Sequence, residues 1–306
     1  MVRSSNNAEA GDRVAQWATR PMSGMVLPRA NALTVDVEDY FQVEAFFKYI
    51  DRDRWDSYEC RIERNVERIL EIFSKTGSKA TFFTLGWIAE RYPDLIRRIV
   101  GCGHELASHG YAHLRADQLS PENFLSDISK AKDILQDVSG QAVYGYRAPS
   151  FSITRKNLWA LEAIQSAQYT YSSSVYPIRH DLYGIPEAPR FAFYPFAGSA
   201  FLEIPISSVR ALGANWPCGG GGFFRLLPFW LSVANLKSIN HRELRPCMFY
   251  FHPWEIDPGQ PKIPGVSWKT KLRHYTNLRA TEHRLVRLLS RFVWDRVDRI
   301  FPVTQQ

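Results

Sequence analysis

A chain of 306 residues with 45% hydrophobic and 14% aromatic residues is long enough to build a substantial core and too apolar to be disordered. The net charge of +7 is spread over basic residues interleaved with acidic ones, which argues against a nucleic-acid-binding tract. No apolar run predicts a membrane span or a signal peptide, and the four cysteines form no Cys-x-x-Cys pair. We therefore expect a cytoplasmic protein in a reducing compartment, with transient contact with the inner membrane surface left open.

The first 28 residues predict a flexible leader, after which strand and helix patterns alternate as far as about residue 175. Strands are predicted at 31–35, 79–85, 104–108 and 143–146. Helices are predicted at 61–76 and 88–92, and beginning at Pro93, at Ser120 and at about Thr154. This alternation is typical of successive βα units around a parallel sheet, so we expect an α/β fold.

The second half of the chain departs from this rhythm. Residues 176–228 are rich in Pro and Gly and predict loops, and the run 219–222 predicts a mobile loop bordering a substrate groove. That run lacks the Lys-Ser/Thr of a phosphate-binding loop. A last strand at 248–251 and an amphipathic helix at 279–296 follow. We expect one catalytic domain over 29–258 and a helical extension over 259–306 packed on the same domain.

Two histidines are the strongest chemical signal in the chain. The four-residue step from His109 to His113 would place both imidazoles on one face of a helical turn, close enough to share a divalent metal. Neutral imidazole suits zinc, with cobalt, nickel and iron also open. The same spacing occurs by chance, so the pair alone does not establish a metal site.

Polar residues follow four predicted strands: the cluster Asp36, Glu38 and Asp39, the histidine pair, Arg147 and His252. Because the carboxyl ends of parallel strands meet at one edge, we expect these residues to share a site. Asp36 and Glu38 point the same way on a strand, whereas Asp39 lies beyond a turn. The acidic residues could bind metal, act as a base or divide these roles. The structural alternatives are a solvated turn for the acidic cluster, a surface salt bridge for Arg147 and a buried core histidine for His252.

Four segments, in order along the chain, resemble the motifs of one family: Thr34–Asp39, Ser108–His113, Tyr146–Phe151 and Tyr250–His252. The family is that of the polysaccharide deacetylases, the NodB-homology group of carbohydrate esterase family 4, and the resemblance covers about residues 30–256. Finer details resemble the branch associated with exopolysaccharide clusters and the exosortase (PEP-CTERM) system, whose members carry a C-terminal extension. The resemblance implies a deformed (β/α) barrel of about seven strands.

The resemblance also implies the roles of individual residues in removing an N-acetyl group from a hexosamine. Asp36 matches the general base, His109 and His113 the metal imidazoles, Arg147 the arginine that holds the base, and His252 the general acid. A backbone N–H from Tyr111 or a neighbour would stabilise the oxyanion. The substrate-binding candidates are Tyr111, Pro149 and Trp254.

The sequence departs from the family pattern at two places. Val37 stands where the family usually has its metal-binding Asp, so either Glu38 or Asp39 is expected to complete the metal shell. Ser172 stands where relatives often have an Asp, which leaves support of the acidic histidine to another carboxylate, for which Asp181 is the candidate.

We therefore expect a metal-dependent deacetylase, with zinc as the first choice of metal, acting on a polysaccharide or its lipid-linked precursor in exopolysaccharide biosynthesis. The alternatives are an allantoinase-like hydrolase of small amides, a deformylase of lipid-linked sugars and an inactive carbohydrate-binding protein. The sequence leaves the sugar, its linkage and the oligomeric state open.

Overall fold

A computed structural model of the protein describes Trp17 and residues 29–302, so the expected leader lies, apart from Trp17, outside the described residues. The described strands are β1 (Asn31–Val37), β2 (Thr81–Thr84), β3 (Glu105–Ser108), β4 (Gly145–Tyr146), β5 (Tyr171–Ser172), β6 (Leu202–Glu203), β7 (Ser208–Ala211), β8 (Ala214–Pro217), β9 (Met248–Phe251) and β10 (Trp294–Asp295). The described helices are α1 (Ile62–Thr76), α2 (Gly86–Arg91), α3 (Pro93–Gly101), α4 (Pro121–Ser139), α5 (Trp159–Ser166), α6 (Gly221–Leu226), α7 (Phe229–Arg242), α8 (Trp268–Tyr275), α9 (Leu278–Leu289) and α10 (Val297–Ile300).

The central sheet is a curled parallel half-barrel, which confirms the α/β, NodB-like prediction. Seven strands follow one another in the order β10-β1-β2-β3-β4-β5-β6, and β9 lies off this path and pairs in parallel with residues 32–35 of β1. Every residue of β1, β2, β3 and β9 is buried, as expected of strands covered on both faces. The carboxyl ends of these strands therefore meet at one rim of the half-barrel.

Sequence patterns located most of these elements but misplaced two. The helix expected from about Thr154 begins at Trp159, after a turn in which Asn157 accepts hydrogen bonds from the backbone N–H and hydroxyl of Thr154. The helix expected at 279–296 ends at Leu289, and the chain then enters β10. Pairing of Trp294 with Asn31 on β1 explains this second difference, since tertiary pairing overrides local periodicity. The extension after residue 258 thus adds a strand to the central sheet as well as helices.

The glycine run is a packed element, so the expectation of a mobile loop was wrong. It follows the antiparallel hairpin of β7 and β8 and leads into α6. Gly220, at φ +117°, forms a parallel bridge to Tyr250 on β9, and a Cβ there would lie 1.9 Å from the Tyr250 carbonyl oxygen. Only glycine allows this approach, and the contact joins the loop-rich segment to β9. Within residues 29–302 no helix has the length and apolar character to cross a bilayer.

Replacing this glycine should destabilise the protein. Gly220→Ala introduces a clash with backbone and a strained positive φ, so we expect the free energy of unfolding to fall by more than about 2 kcal/mol. Gly222→Ala is the matched control, because its Cβ would meet only Arg225 Nη2 at 3.9 Å and alanine favours the helix. Urea unfolding of both variants tests this, and equal stabilities would contradict the packing described.

Candidate metal centre and active site

Asp36 is held by a fully buried arginine. Arg147 Nη1 donates to Asp36 Oδ1 at 2.5 Å and to Thr34 Oγ1 at 2.9 Å, and Nη2 donates to Ser173 Oγ at 3.0 Å. The guanidinium also lies 4.0 Å from the centre of the Phe83 ring. These contacts leave Asp36 Oδ2 as the oxygen that faces the site.

Glu38, His109 and His113 form a group in which one donor atom from each residue lies within 4.8 Å of the others. All three side chains are buried at the strand ends. Glu38 Oε2 is buried without a hydrogen bond of good geometry, although His113 Nε2 lies only 2.6 Å away. Two imidazoles and a carboxylate that converge in this way fit a divalent metal such as zinc and leave coordination positions open.

The backbone fixes the two histidines in different ways. His109 follows β3, and its Nδ1 donates to the Arg147 carbonyl at 2.7 Å, because a carbonyl can only accept. That bond leaves Nε2 as the free donor atom. His113 has a left-handed backbone (φ 52°), and Arg52 donates to the carbonyls of Ala112 at 3.1 Å and His113 at 3.3 Å. Arg52 thus fixes the turn that presents His113, a contact that no sequence motif indicated.

The structure separates Asp39 from this group. Its carboxylate accepts hydrogen bonds from the backbone N–H of Tyr40 at 2.7 Å and of Arg61 at 2.5 Å, and it contacts Cys60 Sγ at 3.3 Å. Asp39 caps the 3-10 turn that follows β1 and ties it to the start of α1. Of the two carboxylates that the sequence left open, Glu38 is therefore the one that faces the histidines.

His252 approaches both carboxylates from β9. Its Nε2 lies 3.5 Å from Glu38 Oε1 and 3.9 Å from Asp36 Oδ2. Nδ1 donates to Glu255 Oε1 at 2.7 Å, and Arg225 Nε donates to Glu255 Oε2 at 2.6 Å. Burial alone would lower the pKa of His252, but Glu38, Glu255 and Asp36 outweigh it and raise the pKa to about 9. The imidazole is thus held protonated near neutral pH.

The partner of the acidic histidine is a correction to the sequence analysis. Asp181 is exposed and pairs with His180, 2.9 Å away, and has no contact with His252. Ser172 Oγ instead bonds to Ser174 Oγ at 2.7 Å. The carboxylate that contacts His252 is Glu255, which lies three residues later on a 3-10 turn. That spacing could have indicated Glu255 in advance, whereas nothing in the sequence pointed to Arg225.

Trp254 is not placed to stack on a sugar. It is 5% exposed, and its ring stacks with the imidazoles of His252 (5.1 Å, 17°) and His274 (4.2 Å, 16°). Its Nε1 donates to Glu38 Oε1 at 3.2 Å. Because the ring is buried, Trp254 packs against His252 and bonds to Glu38 instead of offering a face to a substrate ring.

The other two substrate-binding candidates also have defined surroundings. The backbone N–H of Tyr111 donates to Asp127 Oδ2 at 3.1 Å, so it is not free to stabilise an oxyanion, and the phenol donates to Glu90 at 2.6 Å. Pro149 is buried at the start of the 3-10 turn that follows Arg147. Neither side chain joins the group around Glu38 in this conformation.

Residues 53–172, which include His109, His113 and Arg147, match the family model of polysaccharide deacetylases. This segment is therefore similar to the polysaccharide deacetylases. Residues 173–302, which include His252 and Glu255, match a domain of unknown function, DUF3473. The site described above draws on both segments and on β1, which precedes them.

Curated relatives match the chain over its deacetylase segment. A peptidoglycan-N-acetylglucosamine deacetylase of Bacillus cereus is 33% identical over 96 residues, covering 31% of this chain and 35% of the relative. A chitin deacetylase of Arthroderma benhamiae is 36% identical over 89 residues, covering 28% and 24%. The chain thus spans about a third of the length of the first curated relatives that it matches.

Solved structures share the fold over nearly the whole chain. A Mycobacterium smegmatis protein assigned to the polysaccharide deacetylases aligns with a TM-score of 0.57 and 16% identity, covering 91% of each chain. The Puue allantoinase aligns with a TM-score of 0.57 and 16% identity, covering 92% of this chain and 93% of that one. At this identity both similarities concern the fold alone.

The separation of Glu38 from Asp39 predicts a difference in metal binding. Glu38→Gln removes a ligand charge from the converging group, so we expect the affinity for zinc to fall at least about 10-fold. Asp39→Asn keeps a hydrogen-bond acceptor at the cap and should retain the metal. Metal content after dialysis against zinc, with thermal melting as the folding control, distinguishes the two. Loss of zinc in Asp39→Asn alone would overturn the assignment.

Proposed function

We propose that this protein removes N-acetyl groups from hexosamine residues of a glycan by metal-dependent hydrolysis. The observation that carries the proposal is the convergence at one rim of Asp36, the group of Glu38, His109 and His113, and His252. A bound divalent metal would lower the pKa of a water and polarise the acetyl carbonyl. The remaining requirements are a base for the water and an acid for the departing amine.

Asp36 is proposed as the base. Arg147 occupies its Oδ1, while Oδ2 is oriented toward the site. The Asp36–Arg147 ion pair is buried, and Arg147 is itself held by Thr34 and Ser173. The Asp36 carboxylate therefore has little freedom to rotate away from the site. It is placed to take a proton from a water near the Glu38 group.

His252 is proposed as the acid that protonates the leaving sugar amine. Glu255 accepts from Nδ1, so the other nitrogen, Nε2, carries the proton that faces Asp36 and Glu38. The raised pKa of about 9 keeps that proton in place before reaction. Asp36 and His252 lie on neighbouring strands, so base and acid can act on the same amide without a covalent enzyme intermediate.

Similarity to glycan deacetylases supports the proposed substrate class. The curated relatives named above act on peptidoglycan and chitin, both polymers of N-acetylated hexosamines. Within that class we propose an exopolysaccharide or its lipid-linked precursor, with zinc as the metal, on the strength of the motif resemblance to the exopolysaccharide-associated branch.

The proposal predicts acetate release that depends on Asp36. The zinc-loaded protein should release acetate from N-acetylglucosamine oligomers, and Asp36→Asn should lower the rate by about 1,000-fold because the base is lost. Asp36→Asn should keep its metal, which metal analysis checks. Metal-loaded, folded wild-type protein that releases no acetate from any N-acetylated glycan tested would refute the proposal.

The same assay on small amides tests the allantoinase-like alternative. If the protein hydrolyses allantoin with a higher kcat/KM than N-acetylated oligomers, the substrate class is wrong although the hydrolytic site stands. Binding of glycans without hydrolysis, in protein shown to hold zinc, would favour the inactive carbohydrate-binding alternative.

Glu255 is predicted to act through His252. Glu255→Gln should lower kcat by about 100-fold with little change in KM, since the imidazole loses the charge that orients it and keeps it protonated. Asp257→Asn is the matched control: Asp257 is also a buried carboxylate paired with an arginine, Arg61 at 2.6 Å, but does not touch His252. Glu255→Asp should recover part of the rate.

Each variant loses the two ion pairs of a buried carboxylate, Glu255 with Arg225 and His252 and Asp257 with Arg61 and Arg64, so both should become less stable. Only Glu255→Gln should lose the chemical step. Equal losses of kcat in the two variants would show that Glu255 is merely structural.

A further inference from the structure

Helix α8 exposes an apolar pair on its outer face. Trp268 is 70% exposed and Leu272 is 56% exposed, and their four-residue spacing places them side by side. On the opposite side of the helix, His274 is buried. A tryptophan and a leucine exposed together on a short helix form the kind of apolar ridge that a soluble protein usually covers.

Lysines flank this apolar pair. Lys269 and Lys271 are exposed on either side of Trp268 and Leu272, and Lys262 is exposed just ahead of the helix. From residue 258 to residue 281 the sequence contains five Lys or Arg and no Asp or Glu. An exposed Trp-Leu pair between lysines is the pattern of a helix that lies in the headgroup region of an anionic bilayer.

The helix is also adjacent to the candidate active site. His274 on α8 stacks on Trp254, which stacks on His252 and donates to Glu38. Tyr275 packs on Phe46 in the segment after β1, with ring centres 6.3 Å apart. A surface held by α8 would therefore lie beside the rim that carries the site.

We propose that α8 and the preceding Lys262 form a docking surface for an anionic phospholipid bilayer. The Trp268 and Leu272 side chains enter the headgroup region, and Lys262, Lys269 and Lys271 contact lipid phosphates. The observation that selects lipid over a second copy of this chain is charge: another copy also carries a net +7 and this same acid-free stretch. The proposal concerns binding alone and stands whether or not the deacetylase proposal holds.

Vesicle sedimentation of the full chain tests this surface. The protein should bind vesicles of phosphatidylcholine with phosphatidylglycerol, bind pure phosphatidylcholine far more weakly, and dissociate as salt is raised. The triple variant Lys262→Gln, Lys269→Gln and Lys271→Gln should bind about a hundredfold more weakly, on the order of fivefold for each lost charge. Trp268→Ala should bind about tenfold more weakly.

Matched controls separate this surface from net charge and from exposed tryptophan in general. The triple variant Lys75→Gln, Lys156→Gln and Lys237→Gln removes the same charge from exposed lysines elsewhere and should bind vesicles as the wild type does. Trp230→Ala removes a tryptophan that is 68% exposed at the start of α7 and should also leave binding unchanged.

Three outcomes would overturn the proposal: no binding to anionic vesicles, equal losses in the two triple variants, or equal losses in the two tryptophan variants. A dimer in sedimentation equilibrium that Trp268→Ala dissociates, with no vesicle binding, would assign the helix to self-association instead. Because no arm measures acetate, failure here is distinct from failure of the proposed function.

Discussion

The buried guanidinium of Arg147 is the interaction on which the rest of the site depends. It bonds to Asp36 on β1 and to Ser173 after β5, and its own carbonyl fixes the tautomer of His109. A charge with no solvent exposure is tolerated only when it is paired and its hydrogen-bonding capacity is largely met, and removing one partner of such a pair costs about 3–5 kcal/mol. The same residue thus links the proposed base to a proposed metal ligand, so the geometry of the two cannot vary independently.

The region after residue 173 completes the site. His252, directly after β9, is held by Glu255, and Glu255 is held by Arg225 on α6. Arg225 in turn donates to the backbone carbonyls of Arg273, His274 and Thr276 at the end of α8. This series of hydrogen bonds joins His252 at one end to α8 at the other. Residues 173–302 therefore hold the proposed acid in place.

The fold and much of the site could be predicted from sequence because both follow from short-range rules. Strand ends in a parallel sheet meet, which brought Asp36, His109 and His252 to one rim. What could not be predicted depends on contacts distant in sequence. Trp254 looked available for a sugar, but its ring is buried and stacks with His274, twenty residues later in the chain. The glycine run looked mobile because its partner, Tyr250, lies about thirty residues further along the chain.

In the acidic cluster, the alternation of side chains along β1 explains why the carboxylate that faces the histidines is at position 38 and not at position 37. Val37 occupies the position where the family pattern has an acid, and its side chain is buried in the apolar core on the opposite side of β1 from Asp36. An acid that must face the same way as Asp36 therefore has to come two residues later, at Glu38. The chain turns there, with the Glu38 N–H donating to the Asp36 carbonyl at 3.0 Å, and the longer Glu side chain reaches His113. Asp39, one residue further, faces away from the histidines, and its carboxylate caps the 3-10 turn that follows β1. Thus the register of β1 separates the carboxylate suited to a metal from the one that holds the turn.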